Sequence, residues 1–168
     1  MKELTAEKLR SLYHYNPETG VFTRLMSLGS RGAGPAPGGL DSGGYRRLQI
    51  EGQRYLMHRL AWLYMHGCWP EHHVDHINGI RDDNRIENLR VCSIRENNLN
   101  TRISKNNRSG FKGVSLDKKA NYWTAGIHID RKRISLGRFE TAMEAAHAYN
   151  KAAIKHYGEF AVLNPVGV

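Results

Sequence analysis

Three side chains near the middle of the chain have the chemistry needed to hydrolyse a phosphodiester bond. Asp75 and His76 are adjacent, and Asn97 follows 21 residues after the histidine. Carboxylate and amide oxygens are ligands that a hard divalent cation accepts, and Mg²⁺ keeps several of its waters when it binds them. A neutral imidazole, with an ordinary pKa of about 6.5, can take a proton from water near pH 7. These groups could hold one cation and one general base beside a phosphate.

The reaction explains why these residue types belong together. Water must be activated, the phosphoryl charge must be stabilised and the 3′ oxygen must be helped to leave, and a divalent cation supplies the last two by Lewis acidity. Asp75 and Asn97 are therefore the expected metal ligands, with Mg²⁺ as the expected cation and Mn²⁺ as the alternative. His76 is the expected general base. The sequence leaves open whether His58 or His72 joins the site.

The segment around these residues should place them in one cleft. Residues 72–102 predict a strand that ends at Asp75 and His76, a polar loop, a return strand, and a helix start that carries Asn97. Adjacent residues of a strand point to opposite faces of a sheet. Both side chains can still border one cleft, because the strand ends there and twists into the loop.

The elements before this segment are predicted from turns and periodicity. Residues 1–26 hold a short helix and a strand, residues 45–58 form a hairpin, and residues 59–66 form a helix with one apolar face. Residues 27–44 are rich in glycine, serine and proline and have too few apolar residues to pack, so they predict a flexible connector.

The C-terminal part of the chain follows a simpler plan. After a first domain at residues 1–102 and a basic linker at 103–110, residues 111–168 predict three antiparallel strands and one helix. Thr141 and Glu144 have the capping-box spacing at the start of that helix. Both faces of the middle strand are partly apolar, so the pattern leaves open which face meets the helix. The expected fold is α+β, with two domains.

Composition points to a polyanionic partner. The formal net charge is +9 and the sequence pI is about 9.8, a bias that favours nucleic acid. No apolar run approaches the ~20 residues that span a bilayer, and we expect neither a signal peptide nor a membrane partner. Two cysteines without a C-x-x-C motif disfavour a disulfide scaffold and a cysteine-rich zinc site. We expect a soluble cytoplasmic protein, a monomer or homodimer, with no protein partner implied.

Four short segments around the candidate site share the spacing of a known motif: His58 to Trp62, Asp75 to Gly79, Asn84 to Arg90, and Glu96-Asn97. This text resembles the ββα-metal motif of HNH endonucleases and is similar to phage-type HNH homing endonucleases over about residues 10–102. If a phage encodes the chain, the expected location is the host cytoplasm.

The resemblance assigns roles to individual residues. It implies metal ligation by Asp75 and Asn97, general-base catalysis by His76, and a supporting catalytic role for Asn88, which would fix the loop and the His76 ring by hydrogen bonds. Many relatives have a histidine where this chain has Asn97, which gives an H-N-N variant. The alternatives to Asn97, should the helix register differ, are Asn98 and Asn100.

The C-terminal part carries a second resemblance. Four segments match, namely Ser109 to Val114, Tyr122 to Ala125, Arg133 to Phe139, and Thr141 to Tyr149. Residues 109–163 thereby resemble the Apetala or ethylene-response-factor type of DNA-binding domain, which is also found fused to phage HNH nucleases and lays its sheet in the major groove. Basic and aromatic side chains are the expected DNA contacts: Arg108, Lys112, Trp123, Arg131, Arg133 and Arg138.

Together these features predict a metal-dependent endonuclease of the homing type that cuts double-stranded DNA and is targeted by its C-terminal sheet. Two other hypotheses remain open at this point. One is a sequence-specific DNA-binding regulator with an inactive HNH core, and the other is a nuclease for RNA or for a particular nucleic-acid structure. The target sequence, and the choice between nicking and double-strand cutting, cannot be deduced from the sequence.

Overall fold

The computed structural model describes residues 3–27, 32–36, 38–99, 103, 107–130 and 132–166, apart from the side chains at positions 95, 98 and 99. The chain divides into two compact units, Met1–Ile94 and Arg95–Val168, a boundary eight residues before the predicted one at residue 102. Both units combine helices with antiparallel strands, so the predicted α+β class is confirmed. Among the described helices, none is long and apolar enough to span a bilayer.

The first unit begins with a helix that leads directly into a hairpin. α1 (Ala6–Leu12) starts at Thr5, whose Oγ1 accepts a hydrogen bond from the Lys8 N–H. β1 (Tyr13–Asn16) and β2 (Val21–Arg24) pair antiparallel. Asn16 closes the turn between them, because its side-chain oxygen accepts hydrogen bonds from the next backbone N–H groups at Glu18 and Thr19.

Short strands lie where the sequence predicts a flexible connector. β3 (Gly34–Pro35) pairs with β2, and β4 (Gly39–Leu40) pairs with β5 (Arg46–Ile50). Ala36, between β3 and β4, is buried. The connector prediction is therefore wrong for the described part of residues 27–44. A two-residue strand needs unpaired backbone groups on a neighbouring strand edge rather than apolar side chains of its own.

The predicted hairpin at 45–58 and the helix after it are present with shifted bounds. β5 pairs with β6 (Gln53–Leu56), and α2 (Met57–His66) follows at once. The helix begins two residues earlier than predicted, so His58 lies in its first turn rather than at a strand end. Leu60 and Leu63 of α2 are buried in the core of this unit.

A second, two-stranded sheet follows α2. β7 (His73–His76) pairs antiparallel with β8 (Leu89–Cys92), and a 3₁₀ turn at Ile86–Asn88 leads into β8. α3 (Ile94–Leu99) then begins at the boundary between the two units. The strand-loop-strand-helix order matches the order predicted for residues 72–102.

The second unit is a three-stranded antiparallel sheet with one long helix. β9 (Val114–Asp117), β10 (Tyr122–Ile129) and β11 (Lys132–Phe139) pair in the order β11-β10-β9. α4 (Ala142–Tyr157) begins with the predicted capping box, in which Thr141 Oγ1 accepts from the Glu144 N–H and the Glu144 carboxylate accepts from the Thr141 N–H.

The helix covers one face of this sheet and leaves the other open. Ala125 and Ile127 of β10 are buried in clusters with Ala145 and Tyr149 of α4. Trp123 lies on the same face by strand alternation and packs against the Ala125 cluster. The open face therefore carries the alternate residues of β10, which begin with Tyr122, and the side chains paired with them on β9 and β11.

Candidate active site

The candidate catalytic residues Asp75 and His76 are the last two residues of β7. Asp75 and His76 are both buried, with side chains opposite Arg90 and Leu89 of β8. The backbone turns immediately after His76, whose carbonyl accepts a hydrogen bond from the Gly79 N–H. A buried carboxylate and a buried imidazole are therefore adjacent in sequence where the strand becomes a loop.

Asn88 fastens the loop that follows the strand. Its Oδ1 accepts from the Asn78 N–H at 3.0 Å, and its Nδ2 donates to Asn78 Oδ1 at 3.1 Å and to the Asp83 carbonyl at 2.8 Å. Asn88 is itself buried. The loop is therefore held across its width by one amide, which is the loop-fixing role that the sequence predicts for Asn88. The second part of that role, a hydrogen bond to the His76 ring, stays a prediction.

A second set of polar contacts stiffens the same loop. The Asp83 carboxylate accepts from Asn78 Nδ2 at 2.7 Å and from both Nε and Nη2 of Arg85 at 2.8 Å. These hydrogen bonds, led by the one from Arg85, lower the pKa of Asp83 to about 2. The carboxylate is therefore ionised across the physiological range.

The His76 ring is oriented by Asn84. His76 Nε2 lies 3.1 Å from Asn84 Oδ1 in a buried contact, and Asn84 Nδ2 points to the Asp82 carbonyl at 3.4 Å, which sets the orientation of the amide. An amide oxygen can only accept a hydrogen bond, so this contact favours the neutral tautomer that carries its proton on Nε2. In that tautomer Nδ1 keeps the lone pair and is the basic nitrogen.

Asn84 is held in place by the hairpin β1–β2. The Tyr15 hydroxyl donates to the Asn84 carbonyl at 2.6 Å, and the Ile86 N–H donates to the Pro17 carbonyl at 3.1 Å. Gly20, with φ of +70°, approaches so closely that a Cβ would lie 2.6 Å from the Asn84 carbonyl carbon. The N-terminal hairpin thus supports the His76 ring through Asn84.

Two further rings surround His76. The His58 ring meets it edge to face, with centroids 5.0 Å apart, and the Tyr45 ring lies 6.1 Å away. Burial lowers the pKa of His76, although the Asn84 hydrogen bond and nearby carboxylates, Asp75 first among them, oppose the shift. Burial and the neighbouring His76 lower the pKa of His58 to about 3. Both imidazoles are therefore neutral at pH 7, the state that a general base requires.

Asp75 has a cationic neighbour. Its Oδ2 lies 3.1 Å from Arg90 Nη2, and both side chains are nearly buried. Among the described residues, no three His, Cys, Asp or Glu side chains converge, so these residues do not form a closed zinc-type site. A hydrated hard cation needs only one or two protein oxygens besides water and phosphate, and the donor chemistry of Asp75 with an amide oxygen fits that demand.

The other predicted site residues of this region lie on elements of different kinds. Asn97 is half-buried on α3, in the part of the chain assigned to the second unit, and its ligand role stays a prediction. The side chain of Asn98 and the whole of Asn100 lie outside the described residues. His72 is exposed, and its carbonyl accepts a hydrogen bond from Arg59 Nη1.

The open face of the second unit carries two of the predicted DNA contacts. Arg133 and Arg138 are exposed there, in a shallow depression that also includes Tyr122 and Thr124. The Arg138 guanidinium lies 4.6 Å from the centroid of the Tyr122 ring. The Arg133 guanidinium lies over Gly126, where a Cβ would be 2.8 Å from its Nε. Two cations are thus presented on one sheet face.

The remaining candidates are placed differently. Arg108 is exposed before β9. Lys112 is half-buried, which lowers its pKa, and its backbone is held by the Asn164 side chain. Trp123 packs on the helix side, away from the open face, and Arg131 lies outside the described residues.

Sequence reasoning missed Asn84, Arg90 and Tyr45. Asn84 and Asn88 look alike in the sequence, but Asn88 lies at the start of the return strand, whereas Asn84 lies in the middle of the loop. A loop that folds back brings its middle residues close to the end of the preceding strand. The position of Asn84, eight residues after His76, could therefore have indicated that it contacts the histidine. Arg90 could have been found from antiparallel pairing, since it lies opposite Asp75.

Parts of this chain are similar to known proteins. A family model described as HNH endonuclease matches residues 55–99. Protein 3.8 of Escherichia phage T7 is 29% identical over 105 residues, which cover 62% of this chain and 86% of that protein. An AP2/ERF and B3 domain-containing transcription factor of Arabidopsis thaliana is 44% identical over 55 residues, which cover 33% of this chain but only 15% of that protein.

One solved structure shows a loose likeness. It is entitled DNA binding and cleavage by the HNH homing endonuclease I-HmuI, has 19% sequence identity and a TM-score of 0.44, and covers 94% of this chain and 91% of that chain. The family match at residues 55–99 contains Asp75, His76, Asn84 and Asn88. Residues 55–99 thus match an HNH endonuclease domain.

Proposed function

We propose that this protein is a metal-dependent endonuclease of the homing type that hydrolyses phosphodiester bonds in double-stranded DNA. The HNH domain supplies the cleavage site. The sheet of the second unit supplies affinity for DNA and part of the choice of sequence. The proposal is carried by one observation above others, the hydrogen bond that presents the His76 ring as a neutral base.

In the proposed mechanism, His76 activates the attacking water. Nε2 donates to Asn84 Oδ1, so Nδ1 accepts a proton from water while the water oxygen forms a bond to phosphorus. The bond from phosphorus to the 3′ oxygen then breaks, the leaving oxygen takes a proton from solvent, and the products are a 5′ phosphate and a 3′ hydroxyl. Because burial holds the ring neutral, the base is available at physiological pH.

The proposed metal ligands are Asp75 and Asn97. HNH nucleases generally depend on a divalent metal, and Mg²⁺ suits a carboxylate and an amide oxygen, with Mn²⁺ as the alternative. When bound, the cation would neutralise charge on the phosphoryl group and on the leaving oxygen. Arg90 restrains the Asp75 carboxylate from the opposite strand, so that its orientation is set before a cation arrives.

The proposed DNA-targeting surface is the open face of the second unit. Arg133 and Arg138 can bond phosphates or pair with guanine from this face. Arg108, Lys112 and Arg131 remain proposed DNA contacts, because they are close in sequence to the strands that form this face. Trp123 packs away from this face, which favours a structural role for it over base stacking. One such site cuts one strand, so a monomer nicks DNA unless two copies act together.

A nicking assay tests the proposal. Supercoiled plasmids with random inserts are incubated with the protein and Mg²⁺, Mn²⁺ or EDTA, and the cleaved ends are sequenced. We expect nicking that EDTA abolishes, and for His76→Ala a rate lower by roughly 10²–10⁴-fold with DNA affinity retained. The matched control is His73→Ala, an exposed histidine on the same strand, which we expect to cleave normally.

The outcomes separate the hypotheses. Cleavage by His76→Ala at the wild-type rate would show that His76 is not the base. A wild-type protein that binds duplex DNA tightly but cuts nothing with either metal would favour the DNA-binding regulator. Faster cleavage of RNA or of single strands in direct competition would redirect the proposal to another substrate.

A further inference from the structure

We propose that His58 is a positioning residue, which together with Tyr45 fixes the plane of the His76 imidazole. This inference rests on the proposed function of His76 as the general base. It concerns a buried side chain on α2, an element that contributes no other residue to the candidate chemistry.

The rings of His58, His76 and Tyr45 come from three separate segments of the first unit and lie close together. The His58 and His76 rings make an edge-to-face contact, with centroids 5.0 Å apart and planes at 81°. The Tyr45 ring, which lies just before β5, is 5.4 Å from His58 and 6.1 Å from His76. His58 and Tyr45 thus both pack against the His76 ring.

Arg81 in turn packs against the Tyr45 ring. The Arg81 guanidinium lies 5.1 Å from the centroid of the Tyr45 ring, and its Nη1 donates to the Gly43 carbonyl at 2.6 Å. Arg81 belongs to the loop that follows His76. The loop therefore fastens Tyr45, and Tyr45 in turn lies against both histidine rings.

The His76 ring needs such a restraint. Rotation of a histidine ring about χ2 is broad and nearly two-fold, because a terminal sp³–sp² torsion has low barriers. A half-turn would exchange Nδ1 with a carbon and remove the base from the water. The bond to Asn84 opposes this rotation at one ring atom, and packing against His58 and Tyr45 opposes it over the ring surface.

Stability alone does not explain a histidine at position 58. The side chain is 4% exposed, and in the described part of the chain its Nδ1 is buried without a hydrogen-bond partner. Leaving a buried polar atom unsatisfied destabilises the fold, and an apolar group of similar size avoids that cost. A destabilising side chain that faces the base is better explained by its effect on that base.

The test compares two space-filling variants with a control on the same helix. His58→Leu fills the volume without a flat ring, His58→Phe restores the ring without its nitrogens, and His66→Ala alters an exposed histidine of α2. Single-turnover cleavage and DNA affinity are measured for each. We expect His58→Leu to cleave about 10–100-fold more slowly at unchanged affinity, the scale expected for a small misplacement of a catalytic group. His58→Phe should recover most of the rate, and His66→Ala should match the wild type.

A second readout does not need cleavage. In protein labelled with ¹⁵N-histidine, long-range ¹H–¹⁵N spectra report the tautomer of each ring, and His76→Ala identifies the His76 signals. We expect a single tautomer with the proton on Nε2 in the wild type and in His58→Phe, and mixed signals in His58→Leu. If the wild type proves inactive, the proposed function fails while these spectra still decide the role of His58.

Two results would overturn the inference. One is a His58→Leu protein with the wild-type rate or with an unchanged single His76 tautomer. The other is a His58→Phe protein as slow as His58→Leu although its His76 spectrum is normal, because that would show that the imidazole of His58 takes part in the chemistry itself.

Discussion

The loop after β7 and the open face of the second unit differ in how their polar side chains are held. In the loop, the central groups are buried and each is held by several hydrogen bonds, as the contacts of Asn84 and Asn88 show. On the open face, Arg133 and Arg138 are exposed, and their side chains lie over Gly126 and Tyr122. One region fixes geometry, and the other presents charge.

The difference indicates how each region should respond to mutation. A proposed catalytic group acts through position, so the loss of one support should cost far more in rate than in binding. Proposed phosphate contacts act through charge, so each loss should cost a modest and similar amount of affinity. Effects on the two regions should therefore fall on different measurements as well as on different scales.

Among the residues that support His76, the largest effect is expected from Asn84. Asn84→Ala removes the acceptor that holds the proton on Nε2, so the His76 ring can adopt the tautomer whose lone pair faces away from the water. We expect the single-turnover rate to fall by about 10²-fold or more, the range of general-base catalysis, with DNA affinity nearly unchanged.

The control for Asn84 is a neighbour in the same loop. Asp82→Ala removes an exposed side chain whose Oδ2 lies 3.4 Å from Arg46 Nη2, while its backbone carbonyl still faces Asn84. It should cleave within a few fold of the wild type. Equal rates for Asn84→Ala and the wild type would mean that the loop does not set the tautomer.

A smaller loss of activity is expected from Gly20, which supports Asn84 from the hairpin β1–β2. Gly20→Ala strains a backbone with φ of +70° and drives a Cβ against the backbone of Asn84 and Arg85. Gly52→Ala strains a backbone with φ of +82° in open space. The left-handed conformation costs each variant roughly 1–2 kcal/mol of stability. Only Gly20→Ala should also slow cleavage, by about tenfold.

Thermal melting and single-turnover rates check this pair. Gly20→Ala should melt lower than Gly52→Ala, because it adds a clash to the same backbone strain. If both variants cleave equally well, the hairpin does not position the catalytic ring, and the contrast between a supported site and an open face is weaker than proposed.

The same contrast explains what could be predicted from the sequence. The β5–β6 hairpin and the capping box of α4 are signalled by residues adjacent in sequence, and the structure contains both. Asn84 as the partner of His76 depends on how a twelve-residue loop closes, which no local pattern encodes. β3 and β4 were missed for a related reason. Each is a two-residue strand that forms by pairing with a neighbouring strand, β2 or β5, and its own residues do not signal that pairing.

A moderate effect, on affinity rather than rate, is expected from the open face. Arg133→Ala and Arg138→Ala should each weaken DNA binding several-fold and lower the slope of log affinity against log salt by about 1 for each phosphate contact that is lost. Lys155→Ala removes the same charge from an exposed position on α4, the helix that covers the other face, and should change neither quantity by as much. Equal losses for all three variants would indicate general electrostatic attraction rather than a docking face.

The smallest effect concerns the stability of the loop at low pH. Hydrogen bonds led by the one from Arg85 lower the pKa of Asp83 from 3.8 to about 2 in the folded state. A carboxyl group whose pKa is lower in the folded state stabilises the fold above its unfolded pKa and loses that contribution as the pH falls through the folded value. Asp83→Asn should therefore lower the melting temperature at pH 7, and the difference from the wild type should shrink between about pH 4 and pH 2.

Glu87→Gln alters the exposed second partner of the same guanidinium and should have little effect at any pH, because exposed ion pairs contribute little. A pH-independent difference for Asp83→Asn would mean that its side chain acts through hydrogen bonding alone, and that charge matters for the open face but not for the loop.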